Sequence, residues 1–159
     1  MLTGKKLFTI LTIYTSFFSM LFFSQPACSQ QGNLYAVVNA DNKISSLTQK
    51  DIAMIYLGKK ISMDGYSRIY PVDYSIKHPN RQKFILEILH KSESQYNSYW
   101  ARRIFNGKGT PPTIIDDQNN YLDVIENNLN AIGYIYKKIN IGNKKIKLIP
   151  VIMEDMEKK

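Results

Sequence analysis

Short apolar runs alternate with amphipathic stretches of helical period from residue 34 to residue 152, and this alternation limits the chain more than any other feature. Strands separated by helices bury their apolar faces by stacking helices on a sheet. The expected class is therefore α/β, a mixed β-sheet flanked by helices. Residues 34–38 are β-branched and apolar, the pattern of a buried strand. Further strands are expected at 68–73, 131–136 and 146–152, the last two forming the antiparallel part of the sheet. Pro71 places the second strand at an edge or near a strand end, because proline donates no ladder hydrogen bond.

Helix signals fill the intervals. Thr48 is a good cap for a helix over 48–57, with Asp51 at the position where an acid meets the positive helix end. Gly58 can take the left-handed conformation that closes it. Residues 59–67 read as a loop with a turn at Asp64-Gly65. A second helix spans 80–91, with Phe84, Ile85, Ile88 and Leu89 on one face. Ser92 and Gln95 form a capping box for a third, running to about Phe105 with Tyr96, Trp100 and Ile104 spaced by four. Asn106-Gly107 stops it, a rigid Pro111-Pro112 loop follows, and a fourth helix covers 118–129. With 11 Tyr and 7 Phe, the core is expected to be aromatic.

The amino terminus reads differently. Lys5 and Lys6 precede seventeen residues without a charge, and small or polar residues follow. That is the layout of a secretory signal peptide, expected over 1–29. An uncleaved anchor is the alternative, but seventeen residues fall short of the roughly 20 that a span needs. Cys28, the only cysteine, would be a lipidation site only without the usual preceding aliphatic residue. Cleavage leaves about 130 residues, enough for a hydrophobic core. These comprise one domain over 30–153 and a charged tail over 154–159.

Lys and Arg number 21 against 13 Asp and Glu, a net charge of +8. Such a balance suits an anion-binding or surface-associated protein, and also plain solubility. The basic residues are spread out except at Lys137-Lys138 and Lys144-Lys145-Ile146-Lys147, and export is expected, so nucleic acid is not an expected partner. The two histidines, His78 and His90, have no metal-ligand spacing, and neither a nucleophile elbow nor a Walker loop is present. Asp116-Asp117 precedes a helix and is expected to cap it rather than bind metal. No cofactor, metal or enzymatic activity is expected. The strongest local chemistry follows the second strand, where Asp73, Ser75, Asn80 and Arg81 surround a strand-to-helix turn. Helix-start amides, neutral donors and an arginine fork make an oxyanion cradle. The competing reading has Asn80 capping the helix and Arg81 paired with a carboxylate.

Several segments, in order, resemble a known family. They are Leu47-Thr48 with Asp51-Ile52 and Tyr56-Leu57-Gly58-Lys59, then Ile69-Tyr70-Pro71-Val72-Asp73, then Arg81 with Phe84. Tyr99-Trp100-Ala101-Arg102, Phe105, Gly107-Lys108-Gly109-Thr110-Pro111-Pro112 and Asn130-Ala131-Ile132-Gly133-Tyr134 complete the set. The chain is similar to short exported proteins grouped with the phosphate ABC-transporter substrate-binding family. The resemblance implies a type 2 periplasmic-binding-protein-like single lobe, a periplasmic location and binding of inorganic phosphate or a related oxyanion. It also implies an ABC permease, an envelope sensor protein or a second copy of the chain as partner. Asp73, Ser75 and Arg81 are the site residues it carries over. Two departures stand out. The Ser-Gly-Thr step of full receptors is replaced by Tyr74-Ser75-Ile76-Lys77-His78-Pro79-Asn80-Arg81, which has no glycine, and the length suffices for one lobe. A non-ligand-binding envelope interaction module reusing the lobe is therefore the alternative. Arg102 and Arg103 are adjacent on a helix, so one is expected to face solvent and the other to pair with Asp116 or Asp117.

Overall fold

β1 (Tyr35–Asn39) takes the middle of the sheet because it is apolar on both faces: Ala36, Val37 and Val38 are fully buried. The computed structural model describes residues 33–63 and 68–153. The expected leader, Cys28, the Asp64-Gly65 turn and the tail over 154–159 lie outside them. Among the described residues the remaining strands are β2 (Leu47–Thr48), β3 (Tyr70–Tyr74), β4 (Thr113–Ile115), β5 (Ala131–Ile135) and β6 (Ile146–Ile152). The sheet order is β2-β6-β1-β5-β3-β4. β1 runs antiparallel to both β5 and β6, with Val37 opposite Gly133 on one side and Leu148 on the other. The β2–β6, β3–β5 and β3–β4 pairs are parallel. The antiparallel part is thus not a β5–β6 pair; both strands flank β1, whose two buried faces suit the central slot. Strands β2 and β4 carry no signal of their own, being too short to show a period of two.

Among the described residues the helices are α1 (Gln49–Tyr56), α2 (Pro79–Glu87), α3 (Glu93–Phe105) and α4 (Gln118–Glu126). They lie on two faces. At Gly133 of β5 an added Cβ would sit 2.4 Å from the Tyr121 hydroxyl and 2.6 Å from Ile125 Cδ1, so α4 covers this face at a distance only glycine permits. Tyr134 points to the other face. There its ring stacks on Phe84 of α2 at 3.9 Å and meets Tyr56 of α1 edge-on at 5.3 Å.

The expected aromatic core is present, and its hydroxyls organise the backbone. β3 pairs with β5 only at Tyr70 and Pro71. Beyond that point the Tyr56 hydroxyl bridges the two strands, 2.7 Å from the Val72 carbonyl and 3.1 Å from that of Ile132. The Tyr121 hydroxyl accepts the Tyr134 N–H at 2.8 Å. Pro71 therefore lies near the start of an inner strand, where its missing N–H does least harm.

Helix ends follow their caps. Thr48 and Asp51 form the reciprocal box that starts α1, and Ser92 and Gln95 the one that starts α3. Asp117, as expected, caps α4 through the Asn120 N–H. Gly58 (φ +63°) closes α1 with its N–H on Ile55 and that of Lys59 on Met54, a Schellman pattern. The last carbonyls of α1 are met by one face of α3: Tyr96 donates to Tyr56 O at 3.0 Å, Tyr99 to Leu57 O at 2.6 Å and Arg103 to Gly58 O at 3.0 Å. Arg102 is exposed, as expected of one of the pair. Arg103 does not reach Asp116 or Asp117; its Nη2 holds the carbonyls of Gly58 and Lys108 instead. The α3 stripe ends at Trp100, since Ile104 is 53% exposed. α2 and α4 each stop short of expectation, and His90 (φ +50°) marks the break after α2. No described helix is long and apolar enough to cross a membrane.

Candidate functional site

The turn from β3 to α2 gathers all four residues singled out in the sequence. α2 begins at Pro79, one residue earlier than expected, with His78 rather than Asn80 as its cap. Proline is pre-set for the first helical position and has no N–H to leave unpaired. His78 Nδ1 accepts the Asn80 N–H at 3.2 Å, and the His78 carbonyl accepts those of Arg81 and Gln82 at 3.1 and 3.2 Å. Every amide of the first turn is therefore absent or engaged. Partial burial lowers the His78 pKa, which favours the neutral ring that can accept. That ring stacks on Tyr74 with centroids 4.1 Å apart.

Asp73 and Arg81 lie inside the protein, 1% and 4% exposed. The Arg81 Nη1 donates to Asp73 Oδ2. Asp73 Oδ1 accepts from the Tyr134 hydroxyl at 2.6 Å and from the Tyr74 N–H at 2.8 Å. Arg81 also reaches Glu93 Oε1, with Nη2 at 3.0 Å and Nε at 3.3 Å. Its guanidinium stands 5.5 Å over the Tyr96 ring. Burial pushes the Asp73 carboxyl above the usual range, while Arg81, Tyr134 and the Tyr74 amide pull it back. The Arg81 charge is thus shared between two carboxylates, and both Asp73 oxygens are occupied. The alternative weighed for Arg81, a carboxylate partner, is what the geometry displays. Ser75 and Asn80 remain half-buried at the surface of the turn.

Three contributors escaped sequence reasoning. His78 is not one of the usual capping residue types, although Pro79 after it signals a helix start. Nothing local marks Glu93, in the first turn of α3, or Tyr134, on β5, as neighbours of this turn. Their convergence on Asp73 and Arg81 depends on α3 and β5 folding back to the turn.

The fold is similar to that of solved phosphate receptors. An ABC-type phosphate transport receptor from Vibrio cholerae aligns at TM-score 0.55 and 18% identity over 74% of this chain and 45% of its own. A putative phosphate ABC transporter substrate-binding protein from Clostridium perfringens, solved with bound phosphate, aligns at 0.55 and 20% identity over 76% and 44%. PstS from Borrelia burgdorferi aligns at 0.53 and 11% identity over 80% and 49%. The chain shares their fold. It spans about half the length of these structures. No protein-family model matches the sequence, and no curated protein does.

Proposed function

We propose that this chain is an exported solute-binding lobe, not an enzyme, that takes phosphate or a similar oxyanion as an accessory to ABC transport or sensing. The fold it shares with phosphate receptors over most of its own length carries this reading. The β3–α2 turn lies beyond the carboxyl end of a parallel strand, where α/β sheets hold ligands. Ser75 and Asn80 are the side chains accessible to an anion there. Asp73 and Arg81 are positioning residues that hold the turn through a buried ion pair. Binding would rely on neutral donors and leave Arg81 in place.

A second reading has a specific observation in its favour. The first-turn amides and the Arg81 fork are engaged within the protein. A lobe so closed suits an interaction module that docks on an envelope protein or on a second copy of itself.

Calorimetric titration of phosphate, then sulfate, separates the two. Saturable binding weakened about tenfold or more by the Ser75→Ala/Asn80→Ala double variant is the result expected of the receptor. Absence of heat and of thermal shift at millimolar phosphate overturns it in favour of the module. Sedimentation would then report whether the chain pairs with itself.

A further inference from the structure

At the opposite, amino end of β3 a cavity of about 550 Å³ opens between the close of α1, the start of β3, α3 and the 108–113 loop. Four cations line it: Lys60, Arg68, Arg103 and Lys108. No Asp or Glu is among its described lining residues. Lys60 is paired with Asp51 at 2.8 Å. Arg68 and Lys108 line the cavity and have no ion pair among the described residues.

Arg103 is built into this wall. Its Nη2 is tied to the Gly58 and Lys108 carbonyls at 3.0 and 2.6 Å. Its guanidinium lies 5.5 Å from the Trp100 ring centre and 5.8 Å from that of Tyr99, and its Nε has no partner among the described residues. Gly58 makes room for this arrangement, since a Cβ there would stand 2.7 Å from Trp100 Cη2. Gly58 and Lys60 at the close of α1, and Trp100, Arg103, Lys108 and Pro111, far from them in sequence, converge on one cavity. The rest of the wall is largely apolar, with Ile69, Pro71, Trp100 and Pro111 among its lining residues.

We propose that this cavity binds a small organic anion with two negative charges and a flat apolar body, of which an aryl phosphomonoester is the simplest form. Cations concentrated on a low-dielectric wall attract and retain a multiply charged anion. A planar guanidinium and flanking ammonium groups match phosphoryl oxygens. The volume falls within the ordinary range for small-molecule pockets and leaves room for more than the anionic group. The site is separate from the β3–α2 turn, so it stands whether or not that turn takes phosphate.

Trp100 is the only tryptophan and lines the cavity, so its fluorescence reports occupancy. The full chain is titrated with phenyl phosphate, benzyl alcohol and inorganic phosphate. The expected result is a saturable Trp100 response to phenyl phosphate alone, weakened by salt. The Arg68→Gln/Lys108→Gln variant should weaken it about tenfold or more, with the fold checked by circular dichroism. Ser75→Ala/Asn80→Ala should leave it unchanged, which separates this site from the turn. No saturable response at millimolar phenyl phosphate, an unchanged affinity in the Arg68/Lys108 variant, or an equal response to inorganic phosphate overturns the proposal.

Discussion

At Asp73 the interior carries a carboxylate with both oxygens occupied, and the cation opposite it is buried as well. Truncating one member of such a pair strands the other. Arg81→Ala is expected to cost about 3–5 kcal/mol near neutral pH, read by urea unfolding. Burial already raises the Asp73 pKa, so its charged form is the costly one. The penalty of Arg81→Ala is therefore largest above the raised value and shrinks as pH falls through it and the carboxyl becomes neutral. Asp51 has the opposite sign. Its hydrogen bond with Lys60 and its part in the Thr48 capping box bring its pKa from 3.8 down to about 2. Asp51→Asn should cost on the order of 1 kcal/mol at neutral pH. The gap from the parent is full above about pH 4 and closes as pH falls toward 2. The Asp51 role was legible in the sequence because a cap is a local device three residues long. The Asp73–Arg81–Glu93 cluster was legible only as an open choice for Arg81, since the partner that completes it comes from another helix.

Among the elements, α2 depends on an imidazole for its start. A neutral His78 accepts the Asn80 N–H, and burial lowers its pKa below 6.5. This contribution is fully present above the ordinary histidine pKa and is lost as pH falls through the lowered folded value. Amide exchange in the first turn of α2 should quicken as pH falls from about 7 to 5, after correction for intrinsic rates, and His78→Asn should abolish that extra change. On the other face, β5 and α4 meet at Gly133. Its glycine is needed for proximity: a Cβ would enter the Tyr121 hydroxyl that holds the Tyr134 N–H. Gly133→Ala is expected to lower stability by about 1–3 kcal/mol, measured as a shift in the urea midpoint. Helix starts and the longer strands were readable from capping residues and apolar patterning. β2 and β4 were not, because two or three residues pair only when a neighbouring strand presents its edge.

For the molecule as a whole, one buried cluster runs from β1 through the tyrosines to α3 and α4. Helices on both faces share it, so the lobe should unfold as a unit. Denaturation curves from Trp100 fluorescence and far-ultraviolet circular dichroism are expected to coincide; separated midpoints would mean that the two faces melt independently. The same packing leaves the β3–α2 turn self-satisfied and a basic cavity open at the other end of β3. A chain about half the length of the phosphate receptors whose fold it shares thus presents two distinct environments, a self-satisfied turn and a basic cavity.

Local sequence suffices for the α/β class, the capped starts of α1, α3 and α4, the aromatic interior and the close of α1 at Gly58. Each rests on residues within one turn or one strand of each other, where local sterics and hydrogen bonding decide. The tertiary structure alone decided that β5 and β6 flank β1, that Arg81 is neutralised by Asp73 and Glu93, and that Arg103 joins Gly58 to Lys108. Those outcomes depend on groups from different elements coming together, Arg81 and Glu93 being 12 residues apart and Arg103 and Gly58 45 apart. A buried charge takes whatever partner the packing brings within reach, and local sequence does not name that partner.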